Sequence, residues 1–335
     1  TNELDPGSIV VRLLLIALML ASLLMAIAIP QAFGAKAVLF AASYVAIQVG
    51  RHAFLTFVAA DRGTVERQRA GRILSWFVAA GVLWLAGALA DGWARTALWI
   101  AALAVDYSAP LVTFWLPGRP RLSPEAWQVG TEHFAERFQL FVIIALGESI
   151  VITGTTTADL QLNTARVVAF ALAFLATAAL WWLYFNLVAT IAERRLALAD
   201  AENRTVLARD AYTYLHVIIV AGILASAVGD ELVIAHPTAK LHGAQLAAVV
   251  CGPALYLLAH VALRLRLTGS VTGRRLAGAL ACLAVGAIGT LVPALAVAGL
   301  LFAVLVAVIV GDQIAGARRT ARGEPSPLER LEAAR

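Results

Sequence analysis

Apolar runs of about 20 residues recur from one end of this chain to the other, each long enough to cross the hydrocarbon core of a bilayer. Backbone N–H and C=O groups in that core have no water to bond to. Such runs must therefore close their hydrogen bonds internally, as α-helices. Of the 335 residues, 14% are charged and 61% hydrophobic, against about 25% charged in an ordinary soluble domain. The fold class is all-α, a polytopic transmembrane helical bundle. Ten spans are read, at about 9–29, 37–59, 73–90, 95–116, 133–153, 164–190, 211–229, 243–263, 276–291 and 294–311. The last two form one apolar run that Pro293 divides, because proline breaks a helix. Residues 1–311 read as one transmembrane domain and 312–335 as a polar, Pro-containing tail, predicted to be a mobile cytoplasmic end.

Charge in the loops orients the bundle. With the N-terminus in the cytoplasm, the segments 60–72, 117–132, 191–210, 264–275 and 312–335 hold 19 Lys and Arg, against 3 in the loops on the other side. That asymmetry follows the positive-inside rule and predicts a multi-pass membrane protein with a cytoplasmic C-terminus. Lysine occurs only at 36 and 240 among the 26 basic residues, a bias that fits a GC-rich bacterial genome and so a bacterial cytoplasmic membrane. The charge asymmetry also favours two spans over one in 276–311. The same asymmetry accounts for the formal net charge of +5 without nucleic acid as a partner. Cys251 and Cys282 lie in apolar runs without metal-ligand spacing and read as inert thiols. No leader with a cleavage site is read at the start, and a chain beginning at Thr1 is expected to be a fragment or a processed form.

The informative residues are ionisable side chains inside the spans, because each costs about 2.5–3.5 kcal/mol near the bilayer centre on insertion scales. They are Arg51, His52, Asp106, His133, Glu136, Arg137, Glu148 and His216, with the polar Asn186 and Tyr214 beside them. The span containing "TEHFAERFQLFVIIALGESIV" is the densest. At 100° per residue, His133, Arg137, Ile144 and Glu148 share one side, with Glu136 at its flank. Arg137 and Glu148 lie about 16 Å apart along the axis and cannot pair. Glu148 therefore needs a partner from another helix or a proton, and Gly147 leaves room for a neighbouring helix to approach. The expectation is that this charged side faces a polar interior. His133 also fits an interfacial position, and Glu136 and Arg137 fit side chains reaching to headgroups. Arg51 with an acid fits a structural pair. His133, Glu136 and His216 form a weak metal-ligand set, and no cofactor is implied. Soluble-enzyme signatures such as GxxxxGK[ST], GxSxG and HExxH are absent.

"HFAERFQLFVIIALGESIV" resembles the signature segment of the bacterial low temperature requirement A family. "YVAIQVGRHAFL", "WWLYFN" and "RDAYTYLHVIIVAGILASAVG" resemble further blocks of that family, in order along nearly the whole chain. The resemblance implies His133, Glu136, Arg137, Phe141, Gly147, Glu148, Tyr214 and His216 as its characteristic residues here. It also implies about 12 spans, with two preceding the start of this chain. Asn186 stands where the family often has an acid, which weakens a proton relay through that span. The family is named for growth in the cold, which fixes no biochemical activity.

Three readings follow. The first and favoured one is a secondary carrier of a small, anionic solute, coupled to protons through buried acids. The second is a membrane-embedded enzyme or metalloprotein using His133, Glu136 and His216. The third is a non-catalytic sensor or assembly component whose charges are structural pairs. A non-enzymatic role is preferred. The expected partners are the lipid bilayer, a solute, protons and a second copy of the chain.

Overall fold

The computed structural model describes residues 7–333 except 62, 128–130, 159 and 272. The loop positions at these gaps and the two chain ends, read above as loop and tail, lie outside the described residues. The regular elements of the described chain are all helices, and the chain falls into two compact units, divided at 128/129. The sequence contains a polar, proline-bearing stretch there, "PGRPRLSPEAWQVG", which reads as a loop within one domain.

In the first unit, α1 (Ile9–Ala28) is followed by α2 (Ala37–Phe54), which continues as a π-wound turn to Ala59. Next come α3 (Val65–Leu89) and α4 (Gly92–Ser108). Their core pairs small residues with large rings: Ala37, Ala41, Ala80, Ala88 and Ala102 make room for Trp84 and Trp99. Phe40 and Tyr44 of α2 stand against these tryptophans at centroid distances of 6.1 and 4.8 Å from Trp84. Arg95, at the start of α4, is buried because it donates to the carbonyls of Ala90 and Phe33 and pairs with Asp91.

The second unit contains α5 (Thr131–Ala158), α6 (Thr164–Phe185), α7 (Val188–Leu198) and α8 (Ala201–Leu207). A π-wound segment, Ala208–Leu215, leads into α9 (His216–Ala235). Then follow α10 (Gly243–Thr268), α11 (Gly273–Ile288), α12 (Ala294–Ala321) and α13 (Pro327–Ala333). Helices α9 and α10 pack backbone to backbone. A Cβ on Gly252 would lie 2.4 Å from the Ser226 nitrogen, and one on Gly222 would lie 2.8 Å from that of Tyr256. At one end of this unit the loops before α10 and α12 are tied together, with Ala294 and Leu295 N–H donating to the carbonyls of Ala239 and Pro237.

Among the described residues, eight helices are long and apolar enough to cross a membrane. The apolar residues exposed on α1, such as Leu13, Ile16 and Leu23, are the surface a bilayer covers. Two of the ten expected spans fall just short. α4 has 17 residues and ends before Pro110, and α11 has 16 and ends at the Gly289 turn. Pro293 does separate the last two helices, standing at the N-cap of α12. The polar tail takes a more ordered form than its composition suggests. α12 runs on to Ala321, and α13 packs Leu331 against the core and pairs Glu332 with Arg194 at 2.9 Å.

Candidate functional site

The sequence-predicted residues fall into separate groups. In the first unit, Asp106 of α4 accepts from Tyr44 Oη at 2.8 Å and from Trp84 Nε1 at 3.0 Å, so two neutral donors hold one of its oxygens. Arg51 of α2 donates to Gln48 Oε1 at 3.2 Å. In the second unit, the charged residues of α5 share one face as their spacing requires. That face is exposed, and does not turn inward as expected: His133, Glu136, Arg137, Ile144, Gly147 and Glu148 all lie on it. His133 and Glu136 pair with each other at 3.3 Å. The opposite face carries Ala135, Val142, Ala145 and Leu146 into the core and presents Phe138 to Tyr212 and His216. No atom of a neighbouring helix comes within 4 Å of a Cβ placed on Gly147, so the close approach expected there is not made.

His216 is buried and committed elsewhere. The π-wound segment leaves the Ala211 carbonyl 2.8 Å from His216 Nδ1. A carbonyl only accepts, so Nδ1 carries the proton and Nε2 is the acceptor for Tyr184 Oη, also at 2.8 Å. Tyr212 stacks on the imidazole with an interplanar angle of 4°. His216 is thus not brought together with exposed His133 and Glu136. Among the described residues no three His, Cys, Asp or Glu side chains are grouped to hold a metal. Tyr214, on the same π-wound segment, lines a cavity described below.

That cavity belongs to a constellation that residue-by-residue reading did not single out. α6 stops at Phe185 and α7 begins at Val188, with Leu187 at φ −151° and ψ −32° between them. The break lies within one long apolar stretch, 164–198. Near it, Arg275 Nη2 donates to the Leu183 carbonyl at 3.1 Å, and Tyr256 Oη donates to the Leu180 carbonyl at 2.6 Å. Non-helical backbone at membrane depth is tolerated where side chains satisfy it or where it lines a cavity. Both conditions hold here. Asn186, Leu187 and Val188 line a cavity of about 770 Å³ whose other walls bring Arg264 from α10, Arg274 and Arg275 from α11, and Arg319 from α12. A second cavity of about 1100 Å³ shares Arg264 and Arg319 and adds Arg195, Arg266 and Arg330. Pro327, at the start of α13, borders both.

The charges in this region do not cancel. Asp312 accepts from Arg274 Nε at 2.8 Å and from Arg275 Nε at 3.3 Å. Asp210 accepts from Arg209 and Arg266. Arg264 contacts only the Ser270 hydroxyl, at 3.3 Å, and Arg319 Nε the Ala315 carbonyl, at 3.2 Å. Neither has a carboxylate within ion-pair distance among the described residues. Asp312, Glu324 and Glu329 also line the first cavity and Asp210 the second, but the arginines outnumber them and Arg264 and Arg319 are paired with none of them. Two such planar guanidinium forks beside a cavity have the chemistry of a carboxylate or phosphate site.

An interrupted membrane helix and an arginine-lined cavity in a multi-helix apolar bundle define a polytopic membrane protein with a polar site in one of its units. The sequence model of the family described as bacterial low temperature requirement A protein (LtrA) matches residues 1–310, and the chain belongs to that family. It is 37% identical over 240 residues to an uncharacterised protein of Rhizobium meliloti (strain 1021), an alignment covering 70% of this chain and 56% of the relative. The chain therefore spans little more than half the length of that relative. No solved structure matches.

Proposed function

We propose that the protein is a secondary carrier of a small anionic solute, which binds in the arginine-lined cavities of the second unit. The observation that carries this reading is the pair Arg264 and Arg319, shared by both cavities and without a carboxylate partner among the described residues. A volume of about 770 Å³ suits a small metabolite, since ligand pockets run to roughly 300–1,000 Å³. Breaks such as that between α6 and α7 are how carriers place backbone polar groups at a solute site. The positive-inside orientation puts these cavities at the cytoplasmic face of a bacterial inner membrane, with the C-terminal helix α13 beside them. Glu148 is the acid assigned to proton coupling, because it lies within a span and has no partner among the described residues.

The test uses purified protein and a panel of anions: inorganic phosphate, acetate, succinate and citrate. At least one should raise the unfolding midpoint of wild type in a saturable way. Arg264→Gln and Arg319→Gln should each weaken that binding tenfold or more. In proteoliposomes, uptake of the same anion should follow an imposed proton gradient and be lost in Glu148→Gln. If every anion leaves the midpoint unmoved at low salt, the carrier reading is wrong and the arginines serve structure.

A further inference from the structure

Tight packing of α9 on α10 has a chemical consequence at the end of the unit away from the arginines. A Cβ on Gly229 would lie 2.8 Å from Val249 Cα. Only glycine lets this stretch of α10 sit so close, and the stretch contains Pro253. Proline has no N–H, so the carbonyl four residues earlier, that of Val249, loses its helical donor. Val249 and Pro253 line a cavity of about 30 Å³ together with Thr177 of α6 and Ser226 and Asp230 of α9. Leu301 and Phe302 of α12 close it.

The polar side chains that line this cavity, Thr177, Ser226 and Asp230, all carry oxygen. Asp230 has no hydrogen bond or ion pair among the described residues, and no other ionisable side chain lines the cavity from α6, α9, α10 or α12. Ser226 donates its proton to the Gly222 carbonyl at 2.9 Å, which leaves its lone pairs as acceptors. A carboxylate, two hydroxyls and one orphaned carbonyl are hard ligands, suited to a hard cation and not to a soft one. A lone carboxylate among apolar walls needs a counter-charge. The space, about 30 Å³, exceeds the roughly 10–15 Å³ that one water needs, so it admits one bare ion but not a hydrated one or an organic cation.

We propose that this cavity binds one dehydrated sodium ion, held by Asp230, Thr177, Ser226 and the Val249 carbonyl. The ion neutralises Asp230 and ties α6, α9 and α10 together. This goes beyond the carrier reading and does not rest on it. Along α10 the site is about 22 Å from Arg264, at 1.5 Å per residue over the helix between Val249 and that arginine.

The experiment measures the unfolding midpoint of the purified chain at alkaline pH, titrating sodium chloride against choline chloride at constant total chloride. Potassium chloride is a parallel arm. Wild type should gain stability with sodium in a saturating way, less with potassium and not at all with choline. Asp230→Asn should unfold at the same temperature with and without sodium. Thr177→Val should shift half-saturation upward several-fold. Pro253→Ala restores a donor to the Val249 carbonyl and should do the same, so the site is tested even where Asp230→Asn does not fold. A wild-type midpoint that ignores sodium at every pH overturns the site. So does one that rises only on acidification, which would make Asp230 a proton carrier alone. Because chloride is constant and no solute anion is present, either outcome leaves the anion-carrier reading standing or falling on its own test.

Discussion

Arg275 of α11 reaches across the bundle to donate to the backbone carbonyl of Leu183, next to the end of α6, at 3.1 Å, while its Nε meets Asp312 at 3.3 Å. One guanidinium therefore serves the interrupted helix and the acid of the cavity together. Arg275→Met removes both contacts from a buried position and leaves a carbonyl and a carboxylate short of a donor. The expected cost is about 3 kcal/mol, between that of an unsatisfied buried group and that of a broken buried ion pair. Arg274→Met is the control. Arg274 is 42% exposed and contacts the same Asp312, and a surface pair contributes about 0–1 kcal/mol. Denaturant unfolding in detergent should separate the two variants clearly. Equal losses would show that the Leu183 contact contributes nothing.

The Tyr184–His216 hydrogen bond joins α6 to α9 inside an aromatic cluster that also contains Tyr212 and Phe138. Tyr184→Phe keeps the ring and removes the donor, leaving His216 Nε2 buried and unpaired. The expected loss is about 1–3 kcal/mol. His216→Phe should cost a similar amount, because it strands the Tyr184 hydroxyl. The double variant should lose less than the sum, with a coupling of about 0.5–3 kcal/mol. Strict additivity would mean that the two groups are not bonded in the protein.

Two glycines make opposite predictions. Gly252→Ala would put a methyl 2.4 Å from the Ser226 nitrogen, which is backbone and cannot swing away. Overpacking of this kind costs typically about 1–3 kcal/mol, and α9 and α10 must part to relieve it. Gly147→Ala meets nothing within 4 Å and trades glycine for alanine in a helix, a gain of up to about 1 kcal/mol. Thermal midpoints of the two variants should therefore move in opposite directions from wild type. A Gly147→Ala protein that is stable but inactive would mark the exposed face of α5, with Glu148 on it, as a working surface.

How much of this was legible follows from what each signal encodes. Helix positions came through because apolar runs of span length leave the backbone one option, and Pro293 marked its break because proline cannot donate. The interruption at Asn186–Leu187 was not visible: "LYFNLVA" carries no Gly or Pro, and the break depends on Arg275 and Tyr256 arriving from other helices. Periodicity told correctly which residues of α5 share a face. It could not tell what that face meets, because 3.6 residues per turn describes one helix and not its neighbours. Arg264, Arg274, Arg275 and Arg319 read in the sequence as loop charges, and the positive-inside rule accounts for them there without a second role. Asp230 was placed just beyond a span end read at 229, whereas α9 continues to Ala235.

The entry to α8 offers a prediction in pH. Asp200 is the N-cap of that helix: its Oδ1 accepts from the Asn203 N–H at 2.8 Å, and its Oδ2 accepts from the Asn203 side chain at 2.8 Å. The Asn203 backbone hydrogen bond, followed by the side-chain one, holds the Asp200 carboxyl below its usual value. A depressed folded pKa means that the cap's contribution is complete above the unfolded-state pKa and is lost as pH falls through the folded one. For an aspartate that window opens near pH 4 and extends downward. Amide hydrogen exchange in α8, corrected for its intrinsic pH dependence, should therefore speed up on acidification through that range while α10, which has no such cap, does not respond. Asp200→Asn keeps an acceptor at the cap but removes the titration, so protection of α8 should become flat with pH. Asp200→Ala should show weak protection at every pH. A pH response that survives in Asp200→Asn would assign the effect to another carboxylate.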